Sequence, residues 1–219
     1  MSQFKAIGFD LDGTLVNSLP DLTLAVGNTL QEFNLPRPEE ALVLTWIGNG
    51  ADILLKRALD WAGVEPDTDH LQQMKARFNF HYGENICNRS LLYPNVKQTL
   101  LALKQQGFTL AVVTNKPTQH VLPVLKAFGI DQLFAETLGG QSLPAIKPHP
   151  GPLFYLCGKF GILPSELLFV GDSKNDILAA RAAGCSVVGL TYGYNYNIPI
   201  ADSKPDWVFS DFAEILTIV

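Results

Sequence analysis

Phe9-Asp10-Leu11-Asp12-Gly13-Thr14-Leu15 is the stretch on which the reading of this chain turns. Ala6-Ile7-Gly8-Phe9 precedes it, an apolar run too short for a helix and suited to a buried strand. Side chains alternate along a strand, so Asp10 and Asp12 leave its end on the same side, and Gly13 lets the backbone turn away. Two carboxylates this close repel one another unless a divalent cation lies between them or one carries a proton. A solvated Asp-Gly turn is the commoner use of such residues. It does not explain why a fully apolar strand should end on an acid pair. The stretch is therefore a candidate phosphoryl-transfer site.

The chain around it is 219 residues, 47% hydrophobic and 17% charged, enough for a core domain plus a smaller insertion. A formal net charge of −5 gives no general attraction to nucleic acid or to an anionic membrane. No run reaches transmembrane length and the first residues carry no signal-peptide pattern, so a cytoplasmic protein is expected. Cys87, Cys157 and Cys185 are odd in number and widely spaced, as expected of thiols in a reducing compartment. His70, His81, His120 and His149 lack paired metal spacing and are read as structural.

Helical periodicity fills residues 20–33, 51–61 and 69–84, with a short helical stretch at 39–45 and Ser18 placed to cap the first helix. No strand is expected between Ser18 and Leu92. After that the pattern alternates. Strands are expected at 109–113, 136–138, 167–170, 186–190 and 207–209, separated by helices that stop at Gly107, Gly129, Gly161 and Gly184, with a helix at the C-terminus. The expected fold is α/β: a doubly wound parallel sheet, Rossmann-like, formed by residues 1–17 and 93–219, with residues 18–92 inserted as an all-helical cap domain. In such sheets the chemistry lies at the carboxyl ends of the strands. Those ends carry Asp10 and Asp12, then Thr114-Asn115, then Asp172-Ser173 with Asp176, while Lys147 sits in a loop at the same edge. A helix cap or a turn would explain each residue alone, but not all of them at one edge.

Asp10-x-Asp12-Gly13-Thr14, Thr114-Asn115, Lys147-Pro148 and Gly171-Asp172-x3-Asp176 together resemble the four ordered motifs of the haloacid dehalogenase superfamily. Trp46-Ile47-Gly48-Asn49-Gly50-Ala51, Thr114-Asn115-Lys116-Pro117, Lys147-Pro148-His149-Pro150 and the run Thr191-Tyr192-Gly193-Tyr194-Asn195-Tyr196 are similar to the phosphoglycolate phosphatase family within it. Asn17, where relatives usually carry Asp, and Asn197, where they often carry Gly, depart from that pattern. The resemblance implies a phosphatase that hydrolyses 2-phosphoglycolate through an aspartyl-phosphate on Asp10, with Asp12 as acid and base. An acid at the second position is similar to phosphatases and mutases, since a halide leaving group needs no proton. Mg2+ is the expected cofactor, held by Asp10, the backbone carbonyl of Asp12, Asp172 and Asp176. Thr114, Asn115 and Lys147 would bind the phosphate. Gly48, Asn49 and Gly50, opening a helix, form a candidate carboxylate nest, with Arg57 on that helix and Lys116 nearer the core site. The alternatives are another small phosphate monoester, a β-phosphoglucomutase-like mutase and a receiver-like signalling domain. The expected partner is a small phosphorylated metabolite, and the chain a monomer or homodimer.

Overall fold

The computed structural model describes residues 3–65 and 67–219, and the elements below are those of these residues. A parallel sheet in the order β5-β4-β1-β6-β7-β8 forms the centre. Its strands are β1 (Ala6–Phe9), β4 (Thr109–Val113), β5 (Glu136–Leu138), β6 (Leu167–Gly171), β7 (Ser186–Leu190) and β8 (Trp207–Phe209). The chain runs outward from β1 through β4 to β5, then returns to the other side of β1 for β6, β7 and β8. This reversal flanks β1 with β4 and β6 and opens a crevice at their carboxyl ends.

Strand alternation sorts the core into two layers. Ile7, Phe9, Leu110, Val112, Leu168 and Val170 face one side, where they meet α5 (Val96–Gln105), α6 (Thr118–Ala127) and the C-terminal turn. Ala6, Ala111, Val113, Leu167 and Phe169 face the other, against α7 (Gly151–Phe160) and α8 (Lys174–Ala183). Both faces are buried, which is why these strands read as continuous apolar runs rather than alternating ones. The expected C-terminal helix is instead a 3-10 segment, Phe212–Thr217, whose Phe212 and Ile215 are buried against the sheet.

A separate hydrophobic cluster forms from α1 (Leu19–Glu32), α2 (Glu40–Val43), α3 (Ala51–Trp61) and α4 (Thr68–Glu84). Leu22, Val26 and Leu30 of α1 pack with Leu55 and Leu59 of α3 and with Met74, Phe78 and Tyr82 of α4. The expectation of no strand within 18–92 needs correction: β2 (Val16–Asn17) and β3 (Leu91–Leu92) pair antiparallel where the chain leaves and re-enters the sheet domain. Two-residue strands have too little periodicity to show in a sequence. Asp21, fully buried, clasps the same junction. Its carboxylate accepts hydrogen bonds from the backbone N–H groups of Arg89 and Ser90 and from the Ser90 hydroxyl at 2.5 Å.

Candidate active site

At the end of β1, Asp10 has its Oδ1 fixed by the Leu11 N–H at 2.7 Å and by the Lys147 ammonium at 3.0 Å. Lys147 is buried and also pairs with Asp176 at 2.7 Å. Asp172, at the end of β6, accepts from the Thr14 hydroxyl at 2.6 Å and from the Tyr194 N–H at 2.6 Å. Asp176, in the first turn of α8, accepts from both the N–H and the hydroxyl of Ser173. Gly13 makes room for this packing. It holds φ +88°, and a Cβ there would lie 2.3 Å from Asp172 Oδ2.

Oxygen atoms of Asp10, Asp172 and Asp176 lie within 4.8 Å of one another. Burial raises Asp10 to about 6, with Lys147 opposing the rise and Asp176 adding to it. Burial also raises Asp172 well above the usual carboxylate range, and the charges of Asp176 and Asp10 raise it further. Burial by itself would lower Lys147, but Asp10 and Asp176 beside it hold it above its ordinary value. One lysine facing three mutually repelling carboxylates leaves negative charge over. All the donors are hard oxygens, which is the ligand set a small divalent cation takes.

Asp12 occupies a different environment. Its carboxylate lies outside that cluster and is gripped by the Lys116 ammonium at 2.9 and 3.0 Å and by the Ser18 hydroxyl at 2.6 Å. Ser18 therefore does not cap α1 as expected, since its hydroxyl is drawn to the acid instead. Lys116 is likewise committed to Asp12 rather than standing free for phosphate.

Thr114 lies at the end of β4, its hydroxyl accepting from the Lys116 N–H at 3.2 Å. Asn115 bridges the two hydrophobic units by donating to the carbonyls of Gly48 and Lys147. The Gly48–Gly50 turn opens α3, with Gly50 at φ +83° as its N-cap. Arg57 lies outside the cleft lining: its guanidinium bonds the Trp46 carbonyl and Asn49 Oδ1 and lies over the Tyr196 ring, bracing the turn.

The tyrosine run reaches the helical unit through Tyr194, whose hydroxyl accepts from the Leu19 N–H at 3.1 Å, and through Tyr196. Tyr192 donates to the Thr14 carbonyl, Tyr194 to Asn17 and Tyr196 to Asn49. Both departures from the family pattern have a structural account. Asn17 accepts the Tyr194 hydroxyl at 2.6 Å, and Asn197 holds φ +58°, a conformation that Gly and Asn both tolerate.

Between the units lies a cleft lined by Asp10, Asp12, Thr114 and Lys116 on one side and by Leu22, Ile47, Gly48, Gly50, Leu54, Phe78 and Tyr82 on the other. His120, read from sequence as structural, also lines it. Its Nε2 lies 3.1 Å from Asn79 Oδ1, and burial, with Lys116 adding, lowers it to about 4. Tyr82 carried no sequence signal beyond its helical position.

Residues 7–190 match the model of the haloacid dehalogenase-like hydrolases, and the chain belongs to that family. A phosphoglycolate phosphatase from Pasteurella multocida is 71% identical over the whole of both chains, and one from Haemophilus influenzae strain 86-028NP is 70% identical over 100% of this chain and 99% of its own. The crystal structure described as a predicted phosphoglycolate phosphatase from Haemophilus somnus is 68% identical. It covers 100% of this chain and 99% of its own, with a TM-score of 0.97.

Proposed function

We propose that this hydrolase is a cytoplasmic phosphoglycolate phosphatase that releases phosphate from 2-phosphoglycolate. The 71% identity over both full lengths to the Pasteurella phosphatase carries this reading. In it, residues 18–92 act as a cap over the sheet domain, closing on the substrate and excluding water.

Asp10 is the nucleophile. Leu11 and Lys147 fix its Oδ1, and no hydrogen bond from the described residues holds the other oxygen, which attacks phosphorus. An Asp10–phosphorus bond forms as the bond to the substrate's alkoxide breaks, and Asp12 delivers the proton that oxygen needs. In the second step water attacks phosphorus as the Asp10–phosphorus bond breaks, Asp12 takes the water's proton, and inorganic phosphate leaves with the Asp10 carboxylate restored. Acid–base help of this kind contributes roughly 10²–10⁴-fold. Asp10, Asp172 and Asp176, with the Asp12 carbonyl, would hold Mg2+, which supplies positive charge against the transferring phosphoryl when bound. Lys147, the Thr114 hydroxyl and the backbone N–H of Asn115 orient the phosphate, while the Gly48–Gly50 turn at the start of α3 presents N–H groups to the substrate's other end.

Phosphate release from a panel of monoesters, with Mg2+ and with chelator, tests the proposal. The expected result is the highest kcat/KM on 2-phosphoglycolate and loss of activity with chelator. Sugar phosphates turned over more efficiently by a wide margin would overturn the substrate assignment.

A further inference from the structure

Beyond the two aspartates the cleft is walled by Leu22, Ile47, Leu54 and Phe78, with Tyr82 among them. Tyr82 is 1% exposed, and among the described residues its hydroxyl proton has no acceptor: the group beside the hydroxyl is the Lys116 ammonium, itself only a donor. The ring is fixed by its neighbours. It stacks on Phe78 at 5.9 Å, meets the His120 ring edge-on at 5.0 Å, and has the Lys116 ammonium 4.3 Å from its centroid.

A buried hydroxyl whose proton finds no acceptor is unfavourable, and phenylalanine would fill the same volume without that cost. Tyrosine here makes sense if something entering the cleft accepts its hydrogen bond. The charge nearby indicates what. Lys116 is a cation beside the ring, and His120, held near a value of about 4, is neutral at ordinary pH and adds no competing charge. A donor beside an ammonium in an apolar chamber suits an anion. Lys116 touches Asp12 directly, so Tyr82 is one side chain removed from the acid–base residue. A two-carbon phosphate ester carries its second anionic group only a few bonds from phosphorus.

We propose that Tyr82 is a specificity-determining residue whose hydroxyl donates to the carboxylate end of the substrate, opposite Lys116, while the phosphate lies on Asp10. The inference rests on the phosphoglycolate reading above and extends it to the group on the cap that recognises the acid. The apolar walls act in the same direction, because a sugar phosphate would bury its hydroxyls against Leu54 and Phe78 without partners.

Steady-state kinetics on 2-phosphoglycolate and on 2-hydroxyethyl phosphate, which replaces the carboxylate by an alcohol, test it in the intact enzyme. Wild type should prefer phosphoglycolate. In Tyr82→Phe the ratio of the two kcat/KM values should fall about tenfold or more, mainly through KM for the acid. The variant's melting temperature should hold or rise, because the change removes an unsatisfied hydroxyl, and this separates lost recognition from lost fold. A folded Tyr82→Phe enzyme with the wild-type ratio would overturn the role of Tyr82 and leave the substrate reading intact. A wild type indifferent to the carboxylate would overturn both.

Discussion

Lys147 binds two carboxylates at once, and its removal should expose how much of the site is held together by charge. In Lys147→Met, Asp10 and Asp176 would be buried without their cation, a situation that typically costs about 3–5 kcal/mol. Urea denaturation of the metal-free variant should show that loss, and turnover should fall at least about 10²-fold because the phosphoryl loses its cation. Gly13→Ala is a second test at this scale. It forces φ +88° on an L residue and drives a Cβ into the Asp172 carboxylate, so activity should vanish and the melting temperature drop. Asp10, Thr114, Lys147, Asp172 and Asp176 were legible in sequence because each ends a strand, opens the helix that follows one or sits in a loop at the sheet's reactive edge. The Ser18 hydroxyl on Asp12, the Lys116 clamp and Tyr82 were not. Their partners lie elsewhere in the chain, Lys116 being 104 positions from Asp12, and no local pattern encodes them.

At the scale of elements, the helical block joins the sheet domain through few but buried links. Asp21→Ala should leave the N–H groups of Arg89 and Ser90 unsatisfied and cost about 1–3 kcal/mol, read as a lower denaturation midpoint. α6 contributes a pH dependence through His120. Its folded value of about 4 lies below the ordinary 6.5, so between those values the unfolded chain binds the extra proton. Stability is therefore full above pH 6.5 and declines as pH falls toward 4, by an amount of order 1–3 kcal/mol. His120→Gln should flatten that part of a stability-versus-pH curve, and an unchanged slope would assign it to other groups. Helices and strands whose hydrophobic pattern spans several residues were readable, down to β1 at Ala6–Phe9. The β2–β3 pair and the 3-10 character of Phe212–Thr217 were not, because two residues carry no period and a tight turn shares the apolar spacing of an α-helix.

For the whole molecule, the site exists because two hydrophobic units meet over the carboxyl ends of β1, β4 and β6. Three buried carboxylates against one lysine are a source of strain that a bound divalent cation relieves. Mg2+ at about 100 times its dissociation constant should stabilise the chain by roughly 2.7 kcal/mol, visible as a rise in melting temperature without any substrate. Asp172→Ala should lose that rise, and a variant that kept it would remove Asp172 from the metal site. Among the described residues no helix is long and apolar enough to cross a membrane. The amino-acid sequence determined the sheet, the helical insertion and the inventory of reactive groups, because hydrophobic period and strand-end chemistry are local properties of the chain. Only the tertiary structure decided that Lys116 and Ser18 hold Asp12, that Arg57 braces a turn, and that the buried Tyr82 lines the cleft beside Lys116. Those roles depend on which distant side chains are brought within a few ångströms and on how much water they exclude, and no spacing along the chain records either.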